Sequence, residues 1–318
     1  MFRNIPLVLS ADEILNKSFK RANKVQITDR NALYRKKKTI ISKTESFSDT
    51  VISTLEQYVK NFPSINNLSP FYQELIDIKI SVDKLRKALG AVDWARKTCQ
   101  MIYSKQSRSL KKSSKIDFLT LKQQEIFGRI SSVVKQIDSE LSVLIEAQKI
   151  LKKFPEIQDI PTVVIAGYPN VGKSSLLRCL SSAKPKIAQY PFTTKEIFVG
   201  HIKRKEKYVA TNVQIIDTPG LLDRPISKKN DIEKQAIAAL THLADIIIFL
   251  IDPTEICGYS LNDQMHLLDQ LKNMFLDSSF IIVENKSDIN KVDTKNLKVS
   301  CETKEGIDIL TEKIFSNF

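Results

Sequence analysis

The sequence predicts two domains: an antiparallel helical bundle (residues 1–158) and then an α/β domain with a mostly parallel sheet (residues 159–318). Three observations support this division. The first half carries long apolar patterns at three- and four-residue spacing, whereas the second half alternates short apolar runs with helical patterns. A short proline-bounded stretch, Pro155–Pro161, separates them. A chain of 318 residues is long enough for two separate cores.

Capping signals and apolar spacing place the helices of the first domain. Ser10, with Glu13 three residues later, fits a capping box at the start of a helix. Pro63 ends the second helical pattern, and Ser69 followed by Pro70 restarts it, because serine favours the cap and proline the first turn. The predicted helices span roughly residues 10–22, 28–62, 69–103 and 117–154. Long helices with short breaks favour an antiparallel bundle.

Short apolar runs place the strands of the second domain. Thr162–Ala166 (TVVIA) suits a strand that is buried on both faces. Further strands are predicted at Val213–Ile216, Ile246–Ile251 and Phe280–Glu284, and a closing helix at Ile307–Phe315. Ile197–Ile202 and Lys207–Thr211, joined by the charged turn Lys203–Glu206, are predicted to form an antiparallel hairpin at the edge of the sheet.

The first strand leads into a segment with the phosphate-loop pattern, Gly167–Ser174 (GYPNVGKS). It lies where that pattern requires, after a strand and before a helical run. Its backbone N–H groups and the helix N-terminus form a positive cradle for phosphates. Lys173 is predicted to reach the β- and γ-phosphates, and the Ser174 hydroxyl to bind Mg²⁺. The other residues of this segment predicted to contact the nucleotide are Gly167, Asn170, Val171, Gly172 and Ser175.

The segment NKSD at residues 285–288 predicts which base is bound. The Asp288 carboxylate can accept hydrogen bonds from N1–H and the 2-amino group of guanine, and adenine offers neither. Asn285 is predicted to tie this loop to the phosphate loop, and Lys286 to lay its stem along the base. Ser300 and Cys301 are placed to contribute backbone groups to the base. NKSD alone is a weak signal, but behind a phosphate loop it is specific.

Two more segments concern Mg²⁺ and the γ-phosphate. Asp217–Gly220 (DTPG) ends another predicted strand. Asp217 is predicted to hold Mg²⁺ through water, and the Gly220 amide to sense the γ-phosphate. Of the adjacent threonines 193 and 194, Thr194 is preferred as the second hydroxyl on Mg²⁺. The predicted cofactors are therefore GTP or GDP with Mg²⁺, and the predicted catalytic residues are Lys173, Thr194 and Gly220.

The residue after Gly220 bears on the rate of hydrolysis. Small GTPases orient the attacking water with a glutamine in this region, and here the residue is Leu221. We therefore expect slow intrinsic hydrolysis, or help from a group that a partner or a cation brings. Asn170 is a candidate ligand for K⁺ beside the phosphates. Arg224 is either an internal arginine finger or a solvated loop charge.

Positive charge is concentrated in the first domain. Residues 1–160 carry 29 Lys+Arg against 17 Asp+Glu, whereas residues 161–318 carry 20 against 19. This asymmetry indicates a polyanionic partner for the first domain, most simply a nucleic acid. The densest patches are Arg35–Lys38 and Lys105–Lys115. The alternative for these patches is a solvated helix face and a flexible loop between helices.

With these motifs in place, the sequence resembles the Obg-related GTPases, and within them the nucleolar GTP-binding protein family. The resemblance rests on Tyr190–Lys195 (YPFTTK), Gly200 with His201, and Glu255–Tyr259 (EICGY), and in the helical half on Asp93–Lys97 (DWARK). It implies a Ras-like phosphate-loop GTPase domain that acts as a nucleotide switch. It also implies that the helical domain contacts ribosomal RNA on the precursor of the large ribosomal subunit.

The chain ends at Phe318 without the long C-terminal extension of eukaryotic members, and so resembles the shorter archaeal forms. We therefore expect a cytoplasmic protein that is monomeric when free. No membrane partner is expected, because the longest run of aliphatic and aromatic residues, Ile246–Ile251, is far too short to span a bilayer. A signalling GTPase whose helical domain binds a protein is the alternative. A membrane-remodelling GTPase would need an apolar tip or a lipidation motif, and neither is found.

Overall fold

The structure is a computed structural model that describes residues 2–189, 196–205, 210–225, 229–289 and 294–318. By internal contacts the chain divides into two compact units. The first unit comprises residues 1–67 and 80–152, and the second comprises residues 68–79 and 153–318. A segment that the sequence analysis counted in the helical domain, residues 68–79, therefore groups with the α/β part of the chain.

The first unit is helical, as predicted. Its helices are α1 (Ala11–Asn23), α2 (Ala32–Asn61), α4 (Val82–Lys112), α5 (Ile116–Gln136) and α6 (Asp138–Leu151). The capping box of α1 is confirmed, because the Ser10 side chain accepts from the Glu13 N–H and the Glu13 side chain accepts from the Ser10 N–H. Helix α2 begins four residues later than the predicted start at Thr28. Its cap is Asn31, whose side chain accepts from two backbone N–H groups.

Two stretches that were predicted as single helices are each divided by one residue. At Ser81 a φ of 67° separates α3 (Pro70–Ile80) from α4, and α4 then continues to Lys112. Most of the lysine-rich segment 105–115 is therefore helical rather than a loop. At Ile137 the chain breaks between α5 and α6. The break lets Asp138 Oδ1 accept from the Ala11 N–H at 3.0 Å, which joins the starts of α6 and α1.

Helix α2 lies at the centre of the first unit and packs against α1, α4 and α5. Three rings from α1, α2 and α5 form one cluster, with centroids 4.4–5.4 Å apart: Phe19, Phe47 and Phe127. The fully buried Tyr58 accepts from the Leu9 N–H at 3.0 Å and so fixes the segment before α1. Phe47 and Tyr58 are fully buried and Phe19 and Phe127 partly so, and burial of these rings contributes to the stability of the bundle.

The second unit is built around a seven-stranded sheet in the order β2-β3-β4-β1-β5-β6-β7. The strands are β1 (Thr162–Ala166), β2 (Lys186–Gln189), β3 (Glu196–Lys205), β4 (Ala210–Asp217), β5 (Ile246–Ile251), β6 (Ser279–Glu284) and β7 (Leu297–Lys298). Besides α3, the helices of this unit are α7 (Lys173–Leu180), α8 (Asp231–Thr241), α9 (Leu261–Met274) and α10 (Ile307–Phe315). Strands β1 and β5 are buried along their whole length, as their apolar sequences predict.

Five of these strands, β4, β1, β5, β6 and β7, run parallel. Their carboxyl ends therefore meet at one edge, which is where open α/β sheets bind ligands. The antiparallel hairpin of β3 and β4 is confirmed, but its predicted place at the sheet edge is wrong. The short strand β2 pairs outside β3, and β4 pairs with β1. Residues 203–205, predicted as part of the turn, belong to β3, and the second strand of the hairpin is Ala210–Asp217. Residue 206 of the predicted turn and residues 207–209 of the predicted second strand lie outside the described residues.

Helix α3 is held within the second unit by polar contacts. The Tyr72 hydroxyl donates to the Pro155 carbonyl at 2.7 Å and accepts from the Ile157 N–H at 2.9 Å. Glu74 lies 3.1 Å from His242, which follows α8. These contacts explain why α3 groups with the sheet although its sequence continues the apolar spacing of the bundle. Among the described residues, no helix is long and apolar enough to cross a membrane.

Candidate nucleotide site

Two positions of the loop between β1 and α7 have a backbone that requires glycine. Gly167 has a φ of 139°, and a Cβ there would lie 2.5 Å from the Leu250 carbonyl oxygen. Gly172 has a φ of 105°, and a Cβ there would overlap the side-chain amide of Asn285. Asn170 also has a positive φ, of 63°. Positive φ angles and close backbone approaches at these positions are typical of a phosphate loop.

Lys173 directs its ammonium group into this loop. The side chain is buried, and Nζ donates to the carbonyls of Gly167 at 2.8 Å and Tyr168 at 2.7 Å. Burial lowers the pKa of Lys173, and the nearby carboxylates of Asp217 and Asp223 oppose that change. A buried ammonium group needs a negative partner, and a phosphate group can be one.

Ser174 and Asp217 bring two oxygen ligands together. The Ser174 hydroxyl donates to Asp217 Oδ2 at 2.6 Å. Asp217 is fully buried, and its Oδ1 has no hydrogen-bond partner among the described residues. Burial raises the pKa of Asp217, and the hydrogen bond from Ser174 partly offsets that rise.

An unpaired buried carboxylate oxygen beside a hydroxyl fits Mg²⁺, which prefers oxygen ligands. The residues present therefore suit the predicted ion, with Ser174 and Asp217 as the groups that would hold it. When bound, Mg²⁺ neutralises charge on the phosphate oxygens. Thr193 and Thr194 lie outside the described residues, so Thr194 stays a prediction.

Asn285, at the carboxyl end of β6, connects three loops. Its Nδ2 donates to the Val171 carbonyl at 2.8 Å, which confirms the predicted tie to the phosphate loop. Its Oδ1 accepts from the Cys301 N–H at 3.3 Å. The side chain is buried, so both bonds are protected from water. The phosphate loop and the two loops predicted to contact the base are therefore held as one assembly.

The Asp288 carboxylate has a defined orientation. The buried Ser300 hydroxyl donates to Asp288 Oδ1 at 2.6 Å. The sequence analysis assigned only backbone contacts to Ser300, so this side-chain role was missed. A carboxylate held by a neutral donor on one oxygen can present its remaining acceptor capacity to the two N–H donors of guanine.

Lys286 is fixed by Asp252, a residue that directly follows β5 and that the sequence motifs do not identify. Lys286 Nζ lies 2.5 Å from Asp252 Oδ2, and Asp252 is fully buried. Burial raises the pKa of Asp252, but hydrogen bonds from Lys286, Thr254 and the Cys257 N–H outweigh it and hold the pKa below its usual value. The charged head of Lys286 is thereby anchored, and its stem is free to lie along a base.

The loop from Asp252 to Tyr259 is fastened by one fully buried side chain, Gln264 of α9. Its Oε1 accepts from the Asp252 N–H at 2.8 Å. Its Nε2 donates to the carbonyls of Asp252 at 3.0 Å and Tyr259 at 3.1 Å. Tyr259 in turn packs on Tyr168 of the phosphate loop, with ring centroids 4.2 Å apart. The EICGY segment therefore contacts the candidate site.

The DTPG segment follows β4. Gly220 has a φ of 80°, and its N–H donates to Asp223 Oδ2 at 2.7 Å. Leu221 is fully buried, and its side chain has no polar group that could orient a water molecule. Arg224 is held by Glu233 through two hydrogen bonds of 2.8 and 3.0 Å. In this arrangement Arg224 is engaged by a carboxylate rather than free to act as an arginine finger.

Comparison with known proteins agrees with this geometry. A family model described as the NOG1 N-terminal helical domain matches residues 2–158, and one described as nucleolar GTP-binding protein 1 (NOG1) matches residues 231–288. An uncharacterized protein of Methanocaldococcus jannaschii is 36% identical over 301 residues, which are 93% of this chain and 83% of that protein. The chain belongs to the nucleolar GTP-binding protein 1 family.

Other relatives in the nucleolar GTP-binding protein 1 family are longer. The Saccharomyces cerevisiae protein is 30% identical, and the match covers 98% of this chain and 49% of that protein. The Encephalitozoon cuniculi protein is 34% identical, and the match covers 80% of this chain and 50% of that protein. The chain thus spans about half the length of these relatives. A crystal structure from Plasmodium falciparum that bears the family name is 32% identical and covers 52% of this chain and 91% of that chain. Its TM-score of 0.43 is too low to add to the fold argument.

Within this member of the nucleolar GTP-binding protein 1 family, most predicted site residues lie at the same sheet edge. They are Gly167, Asn170, Val171, Gly172, Lys173, Ser174, Ser175, Asp217, Gly220, Asn285, Lys286, Asp288, Ser300 and Cys301. Tyr190–Lys195 lies outside the described residues. Sequence reasoning missed Asp223, Asp252 and Gln264. For Asp252 a signal was present, since an aspartate directly follows a buried parallel strand, where ligands bind.

Proposed function

We propose that this chain binds GTP and GDP with Mg²⁺, hydrolyses GTP slowly, and assists assembly of the large ribosomal subunit. The observation that carries the nucleotide part is the pair Asp288 and Ser300. The Ser300 hydroxyl orients the Asp288 carboxylate, and this carboxylate lies at the same edge of the sheet as Lys173. A base with two adjacent N–H donors satisfies that carboxylate, whereas adenine would leave a charged acceptor unpaired at a cost of about 2 kcal/mol or more.

Slow hydrolysis follows from the residues around the γ-phosphate position. Leu221 is buried, so the segment that carries a water-orienting glutamine in small GTPases offers no polar side chain at that place. Lys173, Thr194 and the Gly220 amide are the groups we assign to stabilise charge on the transferred phosphoryl group. The missing water-orienting group is supplied by the partner or by K⁺ held at Asn170, which is exposed in the phosphate loop.

The helical unit supports the proposed RNA contact through its basic surface. A groove of about 760 Å³ lies between the segment before α2 and α2 itself, and Arg35, Lys36 and Lys43 line it. A second groove, of about 550 Å³, is lined by Lys17, Lys20 and Arg21 of α1 and by Lys24, which caps that helix, together with one acidic residue, Glu13. Grooves with several cations bind the sugar-phosphate backbone and release counterions, so their affinity falls with salt.

An aromatic ring accompanies these charges. Tyr34 is 51% exposed, and Lys38 Nζ lies 4.6 Å above its ring. An exposed ring beside cations is typical of surfaces on which unpaired bases stack. At half exposure the ring lies at the rim of the helical unit and not in its core. Because the ring is accessible, RNA stacking is part of this proposal.

The alternative, a signalling GTPase whose helical unit binds a protein, makes a different prediction. Its partners would bind with little dependence on salt, and RNA would not be recovered with it. The charge asymmetry between the two halves favours the RNA partner. A cytoplasmic location and a monomeric free state remain expectations of the same proposal.

Cross-linking to RNA in cells, followed by sequencing of the recovered RNA, tests the ribosomal part. We expect segments of large-subunit ribosomal RNA from the wild type. Replacing Arg35, Lys36, Lys37 and Lys38 by glutamine should reduce recovery about tenfold. The matched control replaces four exposed lysines of the second unit, Lys184, Lys272, Lys304 and Lys313, and should keep recovery. If the wild type recovers no large-subunit RNA, the assembly role is wrong.

A further inference from the structure

The Gly220 amide already has an acceptor within the protein. Its N–H donates to Asp223 Oδ2 at 2.7 Å, across the turn that follows β4. The γ-phosphate is the ligand group assigned to this N–H. Since an amide carries one hydrogen, it cannot make full-strength bonds to Asp223 and to a phosphate oxygen at the same time. The two acceptors therefore exclude each other.

The Asp223 carboxylate lies at the phosphate end of the site. Burial lowers the pKa of Lys173, and Asp223, after Asp217, is a carboxylate that opposes this effect. Burial raises the pKa of Asp217, and Asp223 adds to that rise. Asp223 is therefore close enough to act on the cation assigned to the phosphates and on the carboxylate assigned to Mg²⁺. Its Oδ1 is shielded from solvent and has no hydrogen-bond partner within the described part of the chain.

The adjacent cation does not neutralise Asp223. Arg224 gives two hydrogen bonds to Glu233 of α8 instead. A γ-phosphate at the Gly220 amide would thus lie beside the negative carboxylate of Asp223, and like charges at short range repel each other. GDP, which has no γ-phosphate, does not compete for this amide.

We propose that Asp223 is a specificity-determining residue that weakens GTP binding relative to GDP by holding the Gly220 amide with its carboxylate. This inference rests on the guanine-nucleotide function proposed above. GDP leaves the Gly220–Asp223 bond intact. GTP binds only when the carboxylate withdraws from the amide, so the turn 220–225 changes conformation with the third phosphate.

Two substitutions of Asp223 separate the effect of its negative charge from the effect of its hydrogen bond to the Gly220 amide. Asp223→Asn removes the negative charge but keeps a weaker acceptor, whereas Asp223→Ser removes the charge and shortens the side chain. Asp231→Asn is the matched control, because Asp231 is an exposed carboxylate that pairs with Lys234 at 3.2 Å. Dissociation constants for GDP and for a non-hydrolysable GTP analogue are measured by titration of each protein with Mg²⁺ present.

We expect Asp223→Asn to raise the affinity for the GTP analogue relative to GDP by about tenfold, and Asp223→Ser by more. The constant for GDP and both constants of Asp231→Asn should stay at wild-type values. An unchanged ratio, or an equal loss of both nucleotides in the Asp223 variants, would show that Asp223 only closes the turn and would overturn the inference. If the wild type itself binds neither nucleotide, the proposed function is wrong, which is a separate outcome.

Discussion

Asn285 Nδ2 donates a hydrogen bond of 2.8 Å to the Val171 carbonyl and so joins the loop predicted to contact the base to the loop predicted to contact the phosphates. Gly172 permits this approach, because any Cβ there would overlap the Asn285 amide. The second bond of Asn285, from the Cys301 N–H, extends the connection to the loop after β7. The loops predicted to recognise the base and the phosphates are therefore connected through one buried side chain.

Asn285→Ala should weaken binding of GDP by at least about tenfold. The substitution leaves the Val171 carbonyl and the Cys301 N–H without their partner and releases the loops from each other. Titration with a fluorescent GDP measures the effect. Asn317→Ala, an exposed change near the C-terminus, is the control and should bind as the wild type. Wild-type affinity in Asn285→Ala would mean that the tie has no part in binding.

Lys173→Ala should abolish measurable binding of GDP and GTP, with a loss of at least about a hundredfold. The buried ammonium is the cation assigned to the β- and γ-phosphates, and a charge-assisted contact in a shielded site is strong. Isothermal titration tests this, and circular dichroism checks that the helical content is retained. Lys184→Ala removes an exposed lysine of the same unit and should leave binding unchanged. Retained affinity in Lys173→Ala would remove Lys173 from the site.

Gln264→Leu should lower the free energy of unfolding of the second unit by about 2 kcal/mol, because buried groups of Asp252 and Tyr259 lose their partners. It should also weaken guanine-nucleotide binding, since Asp252 anchors Lys286. Thermal unfolding and nucleotide titration are measured on the same preparation. Asn262→Leu, an exposed position of α9, is the comparison. Loss of stability with unchanged binding would restrict Gln264 to a structural role.

Asn170→Gly should remove any stimulation of GTP hydrolysis by K⁺ over Na⁺. Glycine accepts the φ of 63° found at residue 170, so the loop conformation is kept while the proposed K⁺ ligand is lost. Rates of phosphate release with each cation measure the effect, and the affinity for GDP serves as the control for loop integrity. Equal stimulation in the wild type and the variant would exclude Asn170 as the ligand.

Periodicity and motif spacing predicted the two-part fold and most of the candidate site. They could not locate a helix interruption that involves a single residue. Ser81 and Ile137 interrupt helices whose apolar spacing continues on both sides, so the pattern alone reads as one helix. Helix α3 was assigned to the bundle for the same reason. Its true partners, such as Pro155 for Tyr72, lie more than 80 residues away in the sequence.

The missed site residues share another property. Asp223 and Gln264 act through hydrogen bonds to backbone groups, and such bonds depend on loop paths that no residue pattern specifies. Ser300 was selected, but for its backbone, because only the folded chain brings its hydroxyl to Asp288. The motifs did identify the residues that directly follow a strand or begin a helix, because their place in the sequence determines where they lie in the fold.

Base preference tests the central claim most directly, and Asp288→Asn is the variant to measure. Affinities for the triphosphates of guanosine, xanthosine and adenosine are compared in the wild type, in Asp288→Asn and in Ser300→Ala. We predict that the wild type prefers GTP and that Asp288→Asn loses about a hundredfold in GTP affinity and binds xanthosine triphosphate better, because an amide can donate to the 2-oxo group. Ser300→Ala should lose affinity without changing preference. Full preference for GTP in Asp288→Asn would contradict the assignment of the guanine-recognition site.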